Sequence, residues 1–214
     1  MCDALEEGGC TVHRFSRSAP LPEHRIDIED EASIERAADW CACQGQLDLV
    51  IVATGALQGL GFAPEKDWRQ LSGAALSRYF AINATGPALV AKHFLPLLPR
   101  EGRSGFAALS ARVGSIADNR LGGWYGYRAS KAALNMIIKT ASVELARKRP
   151  DAFCVGLHPG TVATELSQPH RANVPAAKLF SARQSAAHLL AVLDRLGPAD
   201  SGKCFAWDGE IIAP

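Results

Sequence analysis

Tyr127 and Lys131 are the residues of this chain best placed to do chemistry together. A Tyr and a Lys four apart on a helix share one face. There an ammonium can favour the phenolate and lower the phenol pKa. The result is a proton donor able to work near neutral pH. Long helices also contain this spacing by chance, so the segments that could position it matter. Ala53-Thr54-Gly55-Ala56 follows the apolar run Leu49-Val50-Ile51-Val52, and Asn83 sits in Ile82-Asn83-Ala84-Thr85-Gly86. Ser110 ends the apolar run Phe106-Ala107-Ala108-Leu109. His158-Pro159-Gly160-Thr161-Val162-Ala163-Thr164 follows another strand-like run. Tyr125 has Ala129 four residues on, so it reads as a packing or pocket-wall residue.

Strand-like and helix-like segments alternate along the chain. Strands are expected at about 11–16, 25–28, 48–53, 105–110, 152–157 and 203–207, with helices at about 31–43, 67–80, 82–98, 124–148 and 181–196. This order predicts an α/β fold, a Rossmann-like, doubly wound parallel sheet with helices on both faces. At 214 residues one domain is expected, spanning the whole chain. The polar, Pro-bearing stretch 165–180 could serve as a substrate lid or as a plain connection.

Composition narrows the partners. Hydrophobic residues make up 48% and charged residues 21%, which marks a globular chain. A formal net charge of +1 gives no electrostatic case for nucleic acid or an anionic membrane. No apolar run approaches the ~20 residues of a membrane span, and no signal peptide is visible. Of the six cysteines, Cys41-Ala42-Cys43 is not a C-x-x-C pair, and no metal site is expected. Reduced, mostly buried thiols in a cytoplasmic protein are expected instead.

Taken in order, these motifs resemble the short-chain dehydrogenase/reductase family. The stretch from Ser110 to Asn135, containing Gly-Ser-Ile-Ala-Asp-Asn-Arg-Leu-Gly-Gly-Trp-Tyr-Gly-Tyr-Arg-Ala-Ser-Lys, looks most like the branch named for the C-factor signalling protein. The resemblance implies hydride transfer between nicotinamide and the carbon of a small-molecule carbonyl or alcohol. Tyr127 would give the proton, and Lys131 would tune it and bind the nicotinamide ribose. Asn83 resembles the family Asn that interrupts a helix near that Lys. The family's active-site hydroxyl falls on Ala111 when counted from the strand end and on Gly114 when counted back from the Tyr. That leaves Ser115 as the preferred candidate, with Ser110 or neither serine as alternatives.

Cofactor contacts are implied in the same way. Ala53, Thr54 and Gly55 would approach the adenine ribose, although the family more often has Asn-Ala-Gly there. Asp27 and Ile28 match its adenine-contacting pair. Pro159, Gly160, Val162 and Thr164 would flank the nicotinamide and phosphates. The strand end at Ser16, Arg17 and Ser18 carries Arg where an acid would bind a ribose 2′-OH. NADP is therefore preferred, with NAD possible. The family opens with a strand and a Gly-rich phosphate loop. No such segment precedes Thr11, and Met1 to Gly9 reads as the end of a helix. A first strand and phosphate loop are therefore expected to be missing, leaving a gap or a rearranged pairing beside the 48–53 strand. A non-catalytic relative acting by binding or signalling is the alternative. A homodimer is expected across the helices at 82–98 and 124–148.

Overall fold

The computed structural model describes residues 1–59, 61, 63–164, 167, 175 and 178–214. Four strands form a parallel sheet: β1 (Leu49–Val52), β2 (Ser104–Leu109), β3 (Ala152–His158) and β6 (Cys204–Ala206), in the order β1-β2-β3-β6. Two short strands, β4 (Thr161–Val162) and β5 (Leu179–Phe180), pair separately and were not expected from the sequence. The helices are α1 (Cys2–Glu7), α2 (Glu31–Gln44), α3 (Gly73–Phe80), α4 (Gly86–Phe94), α5 (Tyr125–Lys148) and α6 (Ala182–Leu193).

Alternation along the strands explains the layers. Val52, Phe106, Ala108, Ala152 and Cys154 point to one face and pack against α2, α4 and α5 through Ile34, Val90, Phe94, Leu134 and Ile138. Ala107, Phe153, Val155 and Leu157 point to the other face and pack against Leu189, Val192 and Leu193 of α6. A sheet buried on both faces needs near-continuous apolar strands, and these four have them.

Two expected strands are absent. Residues 11–16 and 25–28 are not strands; they share only an isolated bridge, Ser16 to Arg25. The apolar pattern there is real, because Phe15, Ile26 and Ile28 pack against the core on the α2 side. A strand, however, needs a ladder partner. Among the described residues β1 pairs only with β2, so its other edge presents no such ladder. This is the gap expected beside 48–53.

Two expected helices are divided. Asp67 caps a short 3-10 turn, Trp68–Gln70, and Ser72 then starts α3 with a side chain that accepts from Ala75 N. The 82–98 helix opens as a π turn, Ala81–Thr85, before α4. Pro87 has no N–H to give the carbonyl of Asn83, so the ladder widens at that point. Cysteine burial is also less complete than expected: Cys41, Cys154 and Cys204 are buried, whereas Cys10 and Cys43 are exposed.

Gly105 and Phe153 face each other across β2 and β3. A Cβ on Gly105 would lie 2.3 Å from Phe153 Cζ. We expect Gly105→Ala to overpack this layer and cost about 1–3 kcal/mol. Urea denaturation of parent and variant checks this, and equal midpoints would show that the strands separate freely.

Candidate functional site

All four main strands run in parallel, so their carboxyl ends share one edge, where open α/β sheets bind ligands. Ala53 to Ala56 leave β1 there, Ser110 leaves β2, and Pro159 leaves β3. The N-terminal turns of α5 lie over this edge, because Lys131 Nζ donates to Leu109 O at 2.7 Å.

Asn83 is fully buried in the π turn. Its Oδ1 accepts from Ala56 N at 2.8 Å, and its Nδ2 donates to Ala56 O at 2.9 Å and to Ser130 Oγ at 3.1 Å. Ser130 Oγ in turn donates to Tyr127 O at 2.9 Å. A Cβ on Gly55 would sit 3.3 Å from Lys131 Nζ and 3.4 Å from Asn83 Oδ1. Gly55 thus lets the main chain lie against both groups. The structure therefore brings Asn83, Gly55, Lys131 and Tyr127 together.

The electrostatics correct one expectation. The Tyr127 phenol is raised overall, not lowered. Burial, followed by the nearby Tyr79 phenol, pushes Tyr127 up to about 12. The ammonium lies 5.9 Å from the Tyr127 ring centroid and is bonded to a main-chain carbonyl. Lys131 itself is 2% exposed, and burial lowers it to about 8, opposed by Cys204. At pH 7 the phenol thus holds its proton and the amine is mostly charged. His158 at the end of β3 is pushed down to about 4, first by burial and then by Arg112.

Both candidate serine hydroxyls have partners of their own. Ser110 Oγ donates to Asn135 Oδ1 at 2.6 Å. Ser115 Oγ accepts from Asp118 N at 3.0 Å and donates to Pro214 O at 3.5 Å. Between them, Ala111 is buried and carries no hydroxyl.

The expected cofactor residues fall into groups. Arg17 and Asp27 line one cavity of about 600 Å³ with Arg25, Arg36 and Trp40. Ser16 joins Arg25 through the isolated bridge. Ile28 packs against Gly86, where a Cβ would meet its carbonyl oxygen at 2.8 Å. Pro159 O accepts from Ser185 Oγ at 2.9 Å. Gly160 adopts φ 72°, and a Cβ there would meet Phe180 at 2.7 Å and Trp207 at 3.0 Å. Val162 pairs with Phe180, and Thr164 N donates to Val162 O at 2.8 Å. The expected lid, 165–180, lies largely outside the described residues.

These residues fit the nicotinamide half of a dinucleotide. Lys131 has hydrogens beyond the one given to Leu109 O, which a ribose hydroxyl could accept.

Sequence reading missed Tyr79, Trp124 and Glu65. The Tyr79 and Trp124 rings each lie 6.3 Å from the Tyr127 ring. The signal for Tyr79 is its position four before Asn83, on the same helical face. Trp124 has φ 54°, the left-handed region that a bulky residue enters at a cost of about 1–3 kcal/mol. Glu65 gave no signal, because Pro64-Glu65-Lys66-Asp67 reads as a solvated loop.

Comparison with known proteins agrees with this geometry. The family model for short chain dehydrogenases matches residues 18–175. C-signal of Myxococcus xanthus is 38% identical over 179 residues, covering 83% of this chain and 98% of that protein. The 1-hydroxy-2-glutathionyl-2-methyl-3-butene dehydrogenase of a Rhodococcus species is 30% identical over 196 residues, covering 89% of this chain and 79% of that protein. An NADPH-bound carbonyl reductase from chicken fatty liver superposes with a TM-score of 0.77 at 27% identity, covering 89% of this chain and 76% of that one.

The buried ammonium makes a testable stability claim. Lys131 falls from 10.5 to about 8 on folding, so below pH 8 the unfolded chain binds the proton more tightly. The penalty reaches about 3 kcal/mol there and fades as pH rises from 8 to 10.5. Relative to the parent, Lys131→Met should therefore be most favourable at pH 7 and lose that advantage by pH 10. Urea denaturation at both pH values checks it, and a pH-independent difference would contradict the lowered pKa.

Proposed function

Because the chain belongs to the short-chain dehydrogenase family, we propose that it is an NADP(H)-dependent oxidoreductase acting on a carbonyl or alcohol carbon of a small molecule. The observation that carries this reading is the buried contact of Asn83, Gly55 and Lys131 one helical turn from Tyr127. The bound nicotinamide would supply or accept the hydride. Tyr127 holds the proton that a newly formed alkoxide requires. Its phenol is protonated at neutral pH, and the Lys131 ammonium stabilises the phenolate left after transfer. Lys131 would also donate to the ribose hydroxyls of a bound cofactor. Asn83 fixes the loop from Ala53 to Ala56 through paired bonds to Ala56 and holds Ser130 on α5.

At the other end of the cofactor, Arg17 faces the same cavity as Asp27 and suits a 2′-phosphate. Ser16, Ile28 and Thr54 complete the adenosine side, and Pro159, Gly160, Val162 and Thr164 the nicotinamide side. The NADPH-bound avian carbonyl reductase supports the choice of NADP and of a carbonyl substrate. A groove between α4 and α5 lined by Ala88, Ala91, Met136, Thr140 and Ala141 would take a second copy of the chain, giving a homodimer. A cytoplasmic location fits the exposed thiols Cys10 and Cys43.

A second reading is a binding or signalling role without turnover. Ala111 favours it, because the position after Ser110 has no hydroxyl to hold a carbonyl oxygen, and so does the likeness to C-signal.

One set of assays separates the two. NADPH should bind more tightly than NADH, and Arg17→Ala should remove that preference. With NADPH and a panel of aldehydes and ketones, Tyr127→Phe should lower reduction by ~10² or more while leaving cofactor affinity intact. Tighter NADH binding would refute the cofactor choice. Activity within a few-fold of the parent would refute the proton donor, and an inactive parent that still binds NADPH would favour the second reading.

A further inference from the structure

Glu65 is 2% exposed, and among the described residues it forms no ion pair. A buried carboxylate without a cation needs strong hydrogen-bond donors. It finds them at the N-terminus of α5, which has no side-chain cap from its N-cap residue Trp124. Gly126 N lies 3.4 and 3.3 Å from the two Glu65 carboxylate oxygens. The Glu65 main-chain O accepts from Trp124 N at 2.5 Å. One residue distant in sequence thus receives the N–H groups of the N-cap and of the second helical position. Negative charge is favoured at this end of a helix.

The same contacts surround the Tyr127 ring. A Cβ on Gly126 would lie 2.3 Å from Tyr79 Cδ2 and 3.1 Å from Glu65 Oε1, so Tyr79, Glu65 and α5 are packed without slack. Trp124 is the one non-glycine residue with positive φ among the described residues. Its N–H is held by Glu65 and its carbonyl accepts from Arg128 N at 2.8 Å. Arg128 Nε donates to Gly123 O at 3.0 Å, closing the turn before it. Tyr127 is therefore bracketed by two rings, Trp124 at 70° and Tyr79 at 60°, both backed by Glu65.

We propose that Glu65 is a positioning residue for Tyr127, its carboxylate acting through Gly126 on the first turn of α5 to fix where the phenol sits. The catalytic consequence rests on the reading of Tyr127 as proton donor; the structural one does not. Glu65 touches neither the ammonium of Lys131 nor the Asn83 amide.

Only three tyrosines are present, so phenol-carbon-labelled tyrosine gives three NMR signals, assignable by single Tyr→Phe changes. The full chain is compared with Glu65→Ala and Glu65→Gln. In Glu65→Ala the Tyr127 midpoint, about 12 in the parent, should fall by roughly one pH unit as the bracket opens to water. Glu65→Gln keeps the acceptor and the length, so it should hold the Tyr127 midpoint near the parent's. In the reductase assay, Glu65→Ala should lose roughly ten-fold in kcat with KM for NADPH unchanged, and Glu65→Gln should recover most of it. An unmoved Tyr127 midpoint and an unmoved kcat in folded Glu65→Ala would overturn the proposal. Should Glu65→Ala fail to fold, Glu65→Asp decides, since it keeps the charge and draws the carboxylate back from Gly126 N. An unchanged Tyr127 midpoint there overturns the proposal. A moved midpoint in a chain with no reductase activity would uphold the positioning role and refute the enzymatic reading instead.

Discussion

The site depends on holding one ammonium out of water. Lys131 is 2% exposed, and its compensation is a single 2.7 Å bond to a strand-end carbonyl, Leu109 O. Burying a charge with so few partners is unfavourable, and its pKa falls to about 8 as a result. What keeps it there is the packing around it. Gly55 brings main chain to the ammonium, and Gly114 lets the loop after β2 press on the helix backbone, since a Cβ there would lie 2.8 Å from the Lys131 carbonyl carbon. Leu134 and Ile138, on the next turns of α5, anchor the helix in the core.

The rest of the edge is arranged around that helix. α5 packs over β3, while the π turn presents Asn83 to the loop leaving β1. Two polar side chains, Asn83 and Ser130, join three segments at once: the β1 loop, the π turn and the first turns of α5. In a low-dielectric setting such a network is strong only while every member is satisfied. A change at one position should therefore be felt at the others.

The sheet was legible wherever apolar runs were long and bounded by Gly or polar residues, as at Leu49 to Val52 and Ala152 to Leu157. Helices on both faces followed from the alternation of strand and helix segments. Residues 11–16 misled for a physical reason: hydrophobic rhythm reports packing, and Phe15 does pack, but strand formation requires a partner edge that periodicity cannot show. Asn83, Gly55, Tyr127 and Lys131, which the structure gathers at the candidate site, stood out by spacing and strand-end position. The site's energetics were not legible. The raised phenol of Tyr127 arises from burial and from Tyr79, a neighbour in space supplied by α3. Trp124's left-handed backbone and Glu65's burial likewise come from contacts between distant segments. The Ser115 hydroxyl meets Pro214 O and Asp118 N, contacts that no local count could reveal.

The central claim is that the Lys131 and Tyr127 pocket is where hydride and proton meet a carbonyl. Deuterium tracing tests it most directly. Reduced cofactor deuterated at the transferring position of NADPH is incubated with the protein and a carbonyl acceptor, and the alcohol is analysed by mass spectrometry. The account predicts deuterium on the former carbonyl carbon with the parent chain and its near-absence with folded Lys131→Met. Equal labelling by both proteins would contradict it.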